Sequence, residues 1–298
     1  PLPSMASALL SLPRFPPLPH GRPLSSFPLS ERDHWRLFYH RRQATAFEWY
    51  VPSSLALAAL APRLPPASRL LHVGCGTSPL GRLLASRGHA VVNLDFEPSV
   101  LQAARQMYLA AGGKLGRAQG ECEFACHDMR QLPREWEHEF DAVVDKGALC
   151  AAAFGGERSA AAALHECARV VRPGGALFFI TEDPPELRAE MLLDHLGSGW
   201  SFPASVQLDH HSSDDSASNE AGESESWRVT PSSASGEARV GAKRQERDCI
   251  ERPSDENLRR SDHAKGSRNM PSASERGDDE QHDRVYYMYA VNKQEPAR

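Results

Sequence analysis

The residues best suited to chemistry in this sequence form a glycine loop, Leu71-His72-Val73-Gly74-Cys75-Gly76, at the end of an apolar run. Closely spaced glycines after a buried strand bring bare backbone against a ligand and are typical of nucleotide sites. A dinucleotide site prefers a third glycine where this sequence has Pro79, which lacks the N–H that a phosphate would use. Because S-adenosyl-L-methionine has no phosphate, the loop favours it over a dinucleotide as the cofactor.

Acidic and apolar residues follow the next two predicted strands, in the positions that a bound nucleoside requires. Asp95 comes 19 residues after Gly76, and its carboxylate can accept hydrogen bonds from both ribose hydroxyls. Phe96 can pack on the adenine ring. Asp128 can accept a hydrogen bond from the adenine amino group, with Met129 on the ring face. For Phe96 and Met129 the alternative is ordinary packing in the core.

Asp145 ends the fourth predicted strand, where the reacting methyl group is expected. Its carboxylate is predicted to hold the ammonium group of the cofactor or to line the channel of the acceptor. Lys146 belongs to the same site or is a surface residue that pairs with a neighbouring acid. No metal is predicted, because Cys122, Cys126 and His127 lie on or beside a predicted strand without a second pair of zinc ligands.

Predicted strands and helices alternate along the chain and must position these residues. Strands are predicted over residues 69–73, 90–94, 123–126, 140–144 and 176–181, and helices over residues 80–86, 98–111 and 160–171. This alternation predicts an α/β fold with a doubly wound, mostly parallel sheet. Ligands of such sheets bind at the carboxyl ends of the strands, where Asp95, Asp128 and Asp145 are expected to meet.

Residues 209–283 differ in composition from this core. They are highly polar and nearly free of aromatic side chains, so they bury too little apolar surface to offset the entropy of ordering them. We predict a disordered insertion here, in the loop of a last antiparallel hairpin. The folded domain is predicted over residues 31–208, with its final strand and tail in residues 284–298.

The composition of the 298 residues narrows the compartment and the partners. Residues 1–30 lack Asp and Glu and resemble an organelle transit peptide, whereas their prolines indicate a disordered extension, so mitochondrial and cytoplasmic locations stay open. The net charge of −5 predicts no nucleic-acid partner. No apolar run reaches the roughly 18 residues of a membrane span. The six scattered cysteines indicate reduced thiols rather than disulfides.

Three motifs together give a more specific indication than the glycine loop alone. They are Trp35-Arg36-Leu37-Phe38-Tyr39 with Phe47-Glu48-Trp49-Tyr50, Val73-Gly74-Cys75-Gly76-Thr77-Ser78, and Asp145-Lys146-Gly147-Ala148-Leu149. With these motifs, residues 31–200 and 284–293 resemble the class I, seven-strand methyltransferases that use S-adenosylmethionine to modify protein lysines. The most similar groups are the lysine methyltransferases of elongation factor 1-alpha and of citrate synthase.

The resemblance implies a seven-stranded, Rossmann-like sheet and a protein substrate with a target lysine. Residues 47–50, here called the lid segment, are implied to fold over the cofactor and to help form the lysine channel. The predicted catalytic residues are Asp145 and Tyr50. The predicted cofactor-binding residues are Trp35, Glu48, Trp49, Gly74, Cys75, Gly76, Asp95, Phe96, Asp128, Met129 and Asp145. The alternative for the aromatic residues is that they only attach the N-terminal helix to the sheet.

The third motif departs from the D-K-G-T-L-D-A pattern of these families in two positions. Ala148 stands where they have Thr, and Cys150 stands where they have Asp. If that Asp orients the target amine, this chain must use another group. The expected function is protein-lysine N-methylation. The alternatives are a methyltransferase of the same fold that acts on a small molecule, and a catalytically degenerate domain that binds a partner.

Overall fold

The computed structural model describes residues 29–42, 45–184, 188, 192, 194–201, 205–211, 226–231 and 285–295. Most of the predicted N-terminal extension and most of the predicted insertion lie outside the described residues. The helices are α1 (Arg32–Arg41), α2 (Ser53–Leu60), α3 (Leu80–Ser86), α4 (Pro98–Ala110), α5 (Ala148–Ala153) and α6 (Glu157–Val170). None of the helices in these ranges is long and apolar enough to cross a membrane.

Within the described residues, a mixed sheet of nine strands forms the centre of the fold. The strands are β1 (Arg69–Val73), β2 (Ala90–Asp95), β3 (Cys122–Cys126), β4 (Phe140–Lys146), β5 (Val171–Thr181), β6 (Trp200–Ser201), β7 (Val206–His211), β8 (Ser226–Pro231) and β9 (Val285–Lys293). Their order is β3-β2-β1-β4-β5-β9-β7-β8, and β6 pairs with β9. The first five strands are parallel to one another. β9 pairs antiparallel with β5, and β7 pairs antiparallel with β9. The predicted α/β class and the antiparallel C-terminal hairpin are confirmed.

The sheet is buried on both faces because its inner strands are apolar at successive positions. On one face Leu70 and Val91 belong to the same cluster as α2 and α3, and on the other Leu71 and Val92 pack with residues of α6. Each fully buried side chain of this size contributes about 1.5–3 kcal/mol. The two cores therefore fix the register of the strands and, with it, the level at which each strand ends.

The sheet has two more strands than the predicted seven. β6 is only two residues long, and β8 lies inside the stretch predicted to be a disordered insertion. β8 pairs antiparallel with β7, with Leu208 opposite Val229. The prediction was wrong for these six residues because Trp227, Val229 and Thr230 are strong strand formers that the average polarity of the surrounding segment conceals.

Candidate active site

A cavity of about 850 Å³, measured with its open mouth, lies at the carboxyl ends of β1, β2 and β4. This size suits a small molecule of cofactor dimensions. Eight predicted site residues line it: Trp35, Trp49, Gly74, Cys75, Asp95, Phe96, Asp128 and Met129. The topology therefore brings together side chains that are up to 94 positions apart in sequence, from residue 35 to residue 129.

The glycine loop is shaped by two residues in the left-handed region. Gly74 has φ +56° and Gly76 has φ +52°. A Cβ at Gly74 would overlap the Cβ of Ala148, and one at Gly76 would overlap the hydroxyl of Tyr39. Both positions therefore require glycine for conformation and for space. The result is a length of bare backbone against one wall of the cavity.

Asp95 is the acid most deeply built into this wall. Its carboxylate accepts hydrogen bonds from the backbone N–H of Gly76 and of Glu97, both at 3.0 Å. Burial raises the pKa of Asp95 to about 6, although these hydrogen bonds lower it. A carboxylate has about four acceptor positions, so Asp95 keeps acceptor capacity for a ligand hydroxyl. Phe96 lies beside it, with the guanidinium of Arg32 5.7 Å from its ring centre.

Asp128 and Met129 form the opposite end of the cavity. Asp128 is paired with the guanidinium of Arg130 at 2.7 Å. Burial raises the pKa of Asp128, but the hydrogen bonds from Arg130 outweigh it and leave the pKa below its usual value. Met129 lines the cavity and also belongs to the core, so the two interpretations offered for it are compatible.

Lys146 is buried, and its ammonium holds the lid segment against the end of β4. Nζ donates to Glu48 Oε2 at 2.6 Å, to the carbonyl oxygen of Trp49 at 3.0 Å and to that of Val51 at 3.2 Å. All three protons of the ammonium are thereby used. The alternative of a surface lysine was wrong, because only 3% of its side chain is exposed. The predicted pairing of Lys146 with an acid was right, and that acid is Glu48.

Glu48 connects this ammonium to the glycine loop. Its carboxylate accepts from the backbone N–H of Ser53 at 2.9 Å and from the hydroxyl of Ser78 at 3.0 Å. Burial raises the pKa of Glu48, but the ammonium of Lys146 outweighs burial and keeps the pKa below its usual value. Glu48 is therefore a charged anchor for the lid segment.

The lid segment ends in a tight turn at Tyr50, which has φ 67° although it is not a glycine. The N–H of Val51 donates to the carbonyl of Trp49 at 3.0 Å, and the same two residues supply the carbonyls that bind Lys146. This conformation is costly for a bulky residue and persists only where surrounding contacts impose it. Gly147, with φ +95°, leaves the space that the ring of Trp49 occupies.

Of the residues that the structure describes, four predicted site residues do not line the cavity: Glu48, Tyr50, Gly76 and Asp145. Asp145 differs most from its predicted role. It is buried, and its Oδ1 accepts from the N–H of Ala148 at 2.7 Å and of Leu149 at 3.2 Å. It therefore caps α5, because the first N–H groups of a helix lack partners within the helix. Burial raises the pKa of Asp145 to about 6.

Several residues that line the cavity were not predicted as site residues, and two of them are polar residues of its wall: Tyr39 of α1 and His72 of β1. The hydroxyl of Tyr39 reaches Gly76, and burial raises the pKa of this phenol, which keeps it protonated. His72 is the one polar residue in the run Leu70-Leu71-His72-Val73. A polar residue in a strand that is otherwise continuously apolar was the available signal.

The chain is similar in sequence to known methyltransferases. Residues 71–179 match the family model described as a methyltransferase domain. The chain is 30% identical over 183 residues to the eEF1A lysine and N-terminal methyltransferase of Mus musculus, a match that covers 60% of this chain and 25% of that protein. It is 29% identical over 198 residues to the mitochondrial citrate synthase-lysine N-methyltransferase of Pongo abelii, covering 61% of this chain and 82% of that protein. The chain thus spans a quarter of the first relative.

Among solved structures, the chain is similar to a TehB-like SAM-dependent methyltransferase from Corynebacterium glutamicum. The two are 17% identical, and the match has a TM-score of 0.42 and covers 58% of this chain and 85% of the other.

Replacement of Lys146 by Met is expected to destabilise the protein. It leaves the Glu48 carboxylate and two backbone carbonyls without their donor, which costs several kcal/mol for a buried pair. Because 30% of the Glu48 side chain is exposed and regains water, we expect a loss of about 2–4 kcal/mol in the free energy of unfolding. Urea unfolding followed by tryptophan fluorescence measures it. The exposed Lys114→Met is the control and should change stability by less than about 0.5 kcal/mol. Equal stability of both variants would contradict the role of Lys146 in holding the lid segment.

Proposed function

We propose that this class I S-adenosylmethionine-dependent methyltransferase transfers a methyl group to the side-chain nitrogen of a lysine in a protein. The observation that carries the proposal is the aromatic lid segment, which Lys146 holds beside Gly147 at the carboxyl end of β4. Two relatives with names that state lysine methylation support it. Both matches extend beyond the 109 residues of the general methyltransferase domain.

The residues around the cavity fit S-adenosylmethionine. The backbone of Gly74 offers close approach without a side chain, and the buried carboxylate of Asp95 offers acceptors for the ribose hydroxyls. Phe96 and Met129 offer apolar contacts for the adenine ring. When bound, the cofactor supplies a methyl group on a positively charged sulfur for displacement by a neutral amine.

The lid segment suits a lysine as the acceptor. Phe47 and Trp49 present aromatic surface to the cavity, on which the aliphatic stem of a lysine can pack. Tyr50 lies between Trp49 and Tyr286, with ring centres 6.0 and 5.5 Å away. Burial raises the pKa of Tyr50, so the phenol stays protonated and serves as a hydrogen-bonding group rather than a base.

The amine must lose its proton before it reacts. At pH 7 this costs about 4–5 kcal/mol for a lysine with an unperturbed pKa of about 10.4. An apolar channel lowers this cost because it disfavours the charged amine. Orientation of the acceptor by the aromatic walls supplies a further part of the rate enhancement.

We infer that Asp183 provides the carboxylate that attracts the lysine ammonium in this chain. Its Oδ2 lies 4.0 Å from the thiol of Cys150 and accepts from the hydroxyl of Thr181 at 3.0 Å. The buried guanidinium of Arg188 also donates to Asp183 and fixes its orientation. With 40% of its side chain exposed, the carboxylate keeps free acceptor positions for an incoming ammonium.

Asp183→Asn is expected to lower kcat/KM for a protein acceptor by about tenfold to a hundredfold, the range for loss of a charged hydrogen bond. The Kd for S-adenosylhomocysteine should stay unchanged. The exposed Glu135→Gln is the matched control. An unchanged kcat/KM in a folded Asp183→Asn protein would show that Asp183 does not contact the acceptor.

The proposed function is tested by incubating the protein with S-adenosylmethionine labelled in its methyl group and with separate acceptors. These are purified elongation factor 1-alpha, purified citrate synthase, a total protein extract and a metabolite extract. We expect the label on lysine in one of the protein samples, located by peptide mass spectrometry and abolished when that lysine is replaced by arginine. Label confined to the metabolites would refute a protein acceptor and favour the small-molecule alternative.

Cofactor affinity should depend on the ionisation of Asp95. Its pKa of about 6 means that the carboxyl becomes protonated as the pH falls through 6 and then loses acceptor positions for the ribose. We expect binding of S-adenosylhomocysteine to be about tenfold weaker at pH 5 than at pH 7. Calorimetric titration measures it. Asp95→Asn should bind weakly at both pH values. Asp145→Asn, which removes an acid of similar pKa outside the cavity, should retain the pH dependence.

A further inference from the structure

His72 is a buried polar residue in the wall of the cavity with no part in the function proposed above. Only 1% of it is exposed, and it lines the cavity together with Gly74, Cys75, Ser78 and Lys146. It lies on β1, between Asn93 of β2 and Val144 of β4 in the strand register. Most buried polar side-chain atoms in proteins have a hydrogen-bond partner, so the partners of the two imidazole nitrogen atoms bear on what this residue does.

One of these partners is Asn93, whose side-chain oxygen faces the histidine. Asn93 Oδ1 lies 3.2 Å from His72 Nδ1. The side-chain amide also hydrogen-bonds the thiol of Cys122, which it can do as a donor through Nδ2. A Cβ at Gly81 would overlap Asn93 Oδ1, so the glycine leaves the space that the amide occupies.

This arrangement sets the tautomer of His72. Since Asn93 Oδ1 only accepts, Nδ1 of the imidazole must carry the proton. Burial lowers the pKa of His72 to about 4, so the ring is neutral at physiological pH. The lone pair is then on Nε2. The charged groups that act on the imidazole include Lys146 and Glu48, which form an ion pair with each other at 2.6 Å.

We propose that Nε2 of His72 accepts a hydrogen bond from the ammonium group in the methionine portion of the cofactor, and that Asn93 is the positioning residue that presents this lone pair. The sheet order supports this direction of binding. Met129 and Asp128 follow β3, Asp95 ends β2 and His72 lies on β1. If Asp95 holds the ribose, the amino-acid end of the cofactor extends toward β1 and β4.

Three ligands separate the parts of this contact. S-Adenosylhomocysteine carries the amino and carboxyl groups, decarboxylated S-adenosylmethionine carries only the amino group, and 5′-methylthioadenosine carries neither. We expect His72→Phe to raise the Kd of the first two ligands by about tenfold to a hundredfold, the range for loss of a hydrogen bond to a charged group. The Kd of the third ligand should stay unchanged. Asn93→Leu should raise the Kd of the same two ligands to a smaller extent. Calorimetry measures each Kd without an acceptor, so the result is independent of lysine methylation.

His89→Phe is the matched control, because His89 is also a buried histidine but lies at the amino end of β2, where its Nδ1 accepts from the N–H of Ser68. This variant should lose stability and keep its affinity for all three ligands. The ammonium contact would be overturned if His72→Phe weakened the binding of all three ligands equally. It would also be overturned if this variant weakened the binding of S-adenosylhomocysteine alone.

A measurement on the unsubstituted protein covers the case in which His72→Phe does not fold. In protein labelled with ¹⁵N-histidine, the free protein should show Nε2 of His72 as the unprotonated nitrogen. Its chemical shift should move on addition of S-adenosylhomocysteine and stay in place with 5′-methylthioadenosine. A protonated Nε2, or an equal shift with both ligands, would refute the proposal.

Discussion

The buried ammonium of Lys146 is the interaction on which the geometry of the site depends. It binds one carboxylate and two backbone carbonyls of residues 48–51, so the position of the lid segment is set by a single side chain at the end of β4. An uncompensated charge at this depth would be strongly destabilising. The segment therefore has to adopt the strained turn at Tyr50 in order to satisfy the ammonium. Both the strained turn and the ion pair with Glu48 thus follow from the need to supply acceptors to the buried ammonium.

The opposite wall of the cavity is built on a different principle. Asp95 ends β2 and Gly74 directly follows β1, two parallel strands that both cores hold in register, and the carboxylate of Asp95 accepts from two backbone N–H groups. Such a wall changes little in shape, because a shift of one strand would expose apolar side chains on both faces. The wall that contains Asp95 is therefore rigid, whereas the lid segment is held by the contacts of one lysine, Lys146. This difference suits a fold that keeps one cofactor and varies its acceptors.

Much of the fold and of the cofactor wall could be predicted from the sequence, because they follow from local patterns. Apolar runs locate the strands, and parallel strands place Asp95 and Asp128 at one edge of the sheet. The partners of a charged side chain do not follow from such patterns. Glu48 and Lys146 are 98 positions apart, and Asp145 caps the helix that begins three residues later. A strand-end acid can face the ligand or the next helix, and the choice depends on side-chain direction. β8 was missed because its six residues are surrounded by polar sequence.

His72 illustrates why a sequence interpretation that looks for acids and glycines passes over part of such a site. A neutral imidazole and a carboxylate can both accept a hydrogen bond from an ammonium group, but the imidazole does so only if its other nitrogen is held as a donor. That condition needs Asn93 on the neighbouring strand, and Asn93 needs the missing side chain of Gly81. The function of the histidine is thus encoded in three residues of three different elements. Each of them alone resembles an ordinary core residue, and only the register of β1 against β2 joins them.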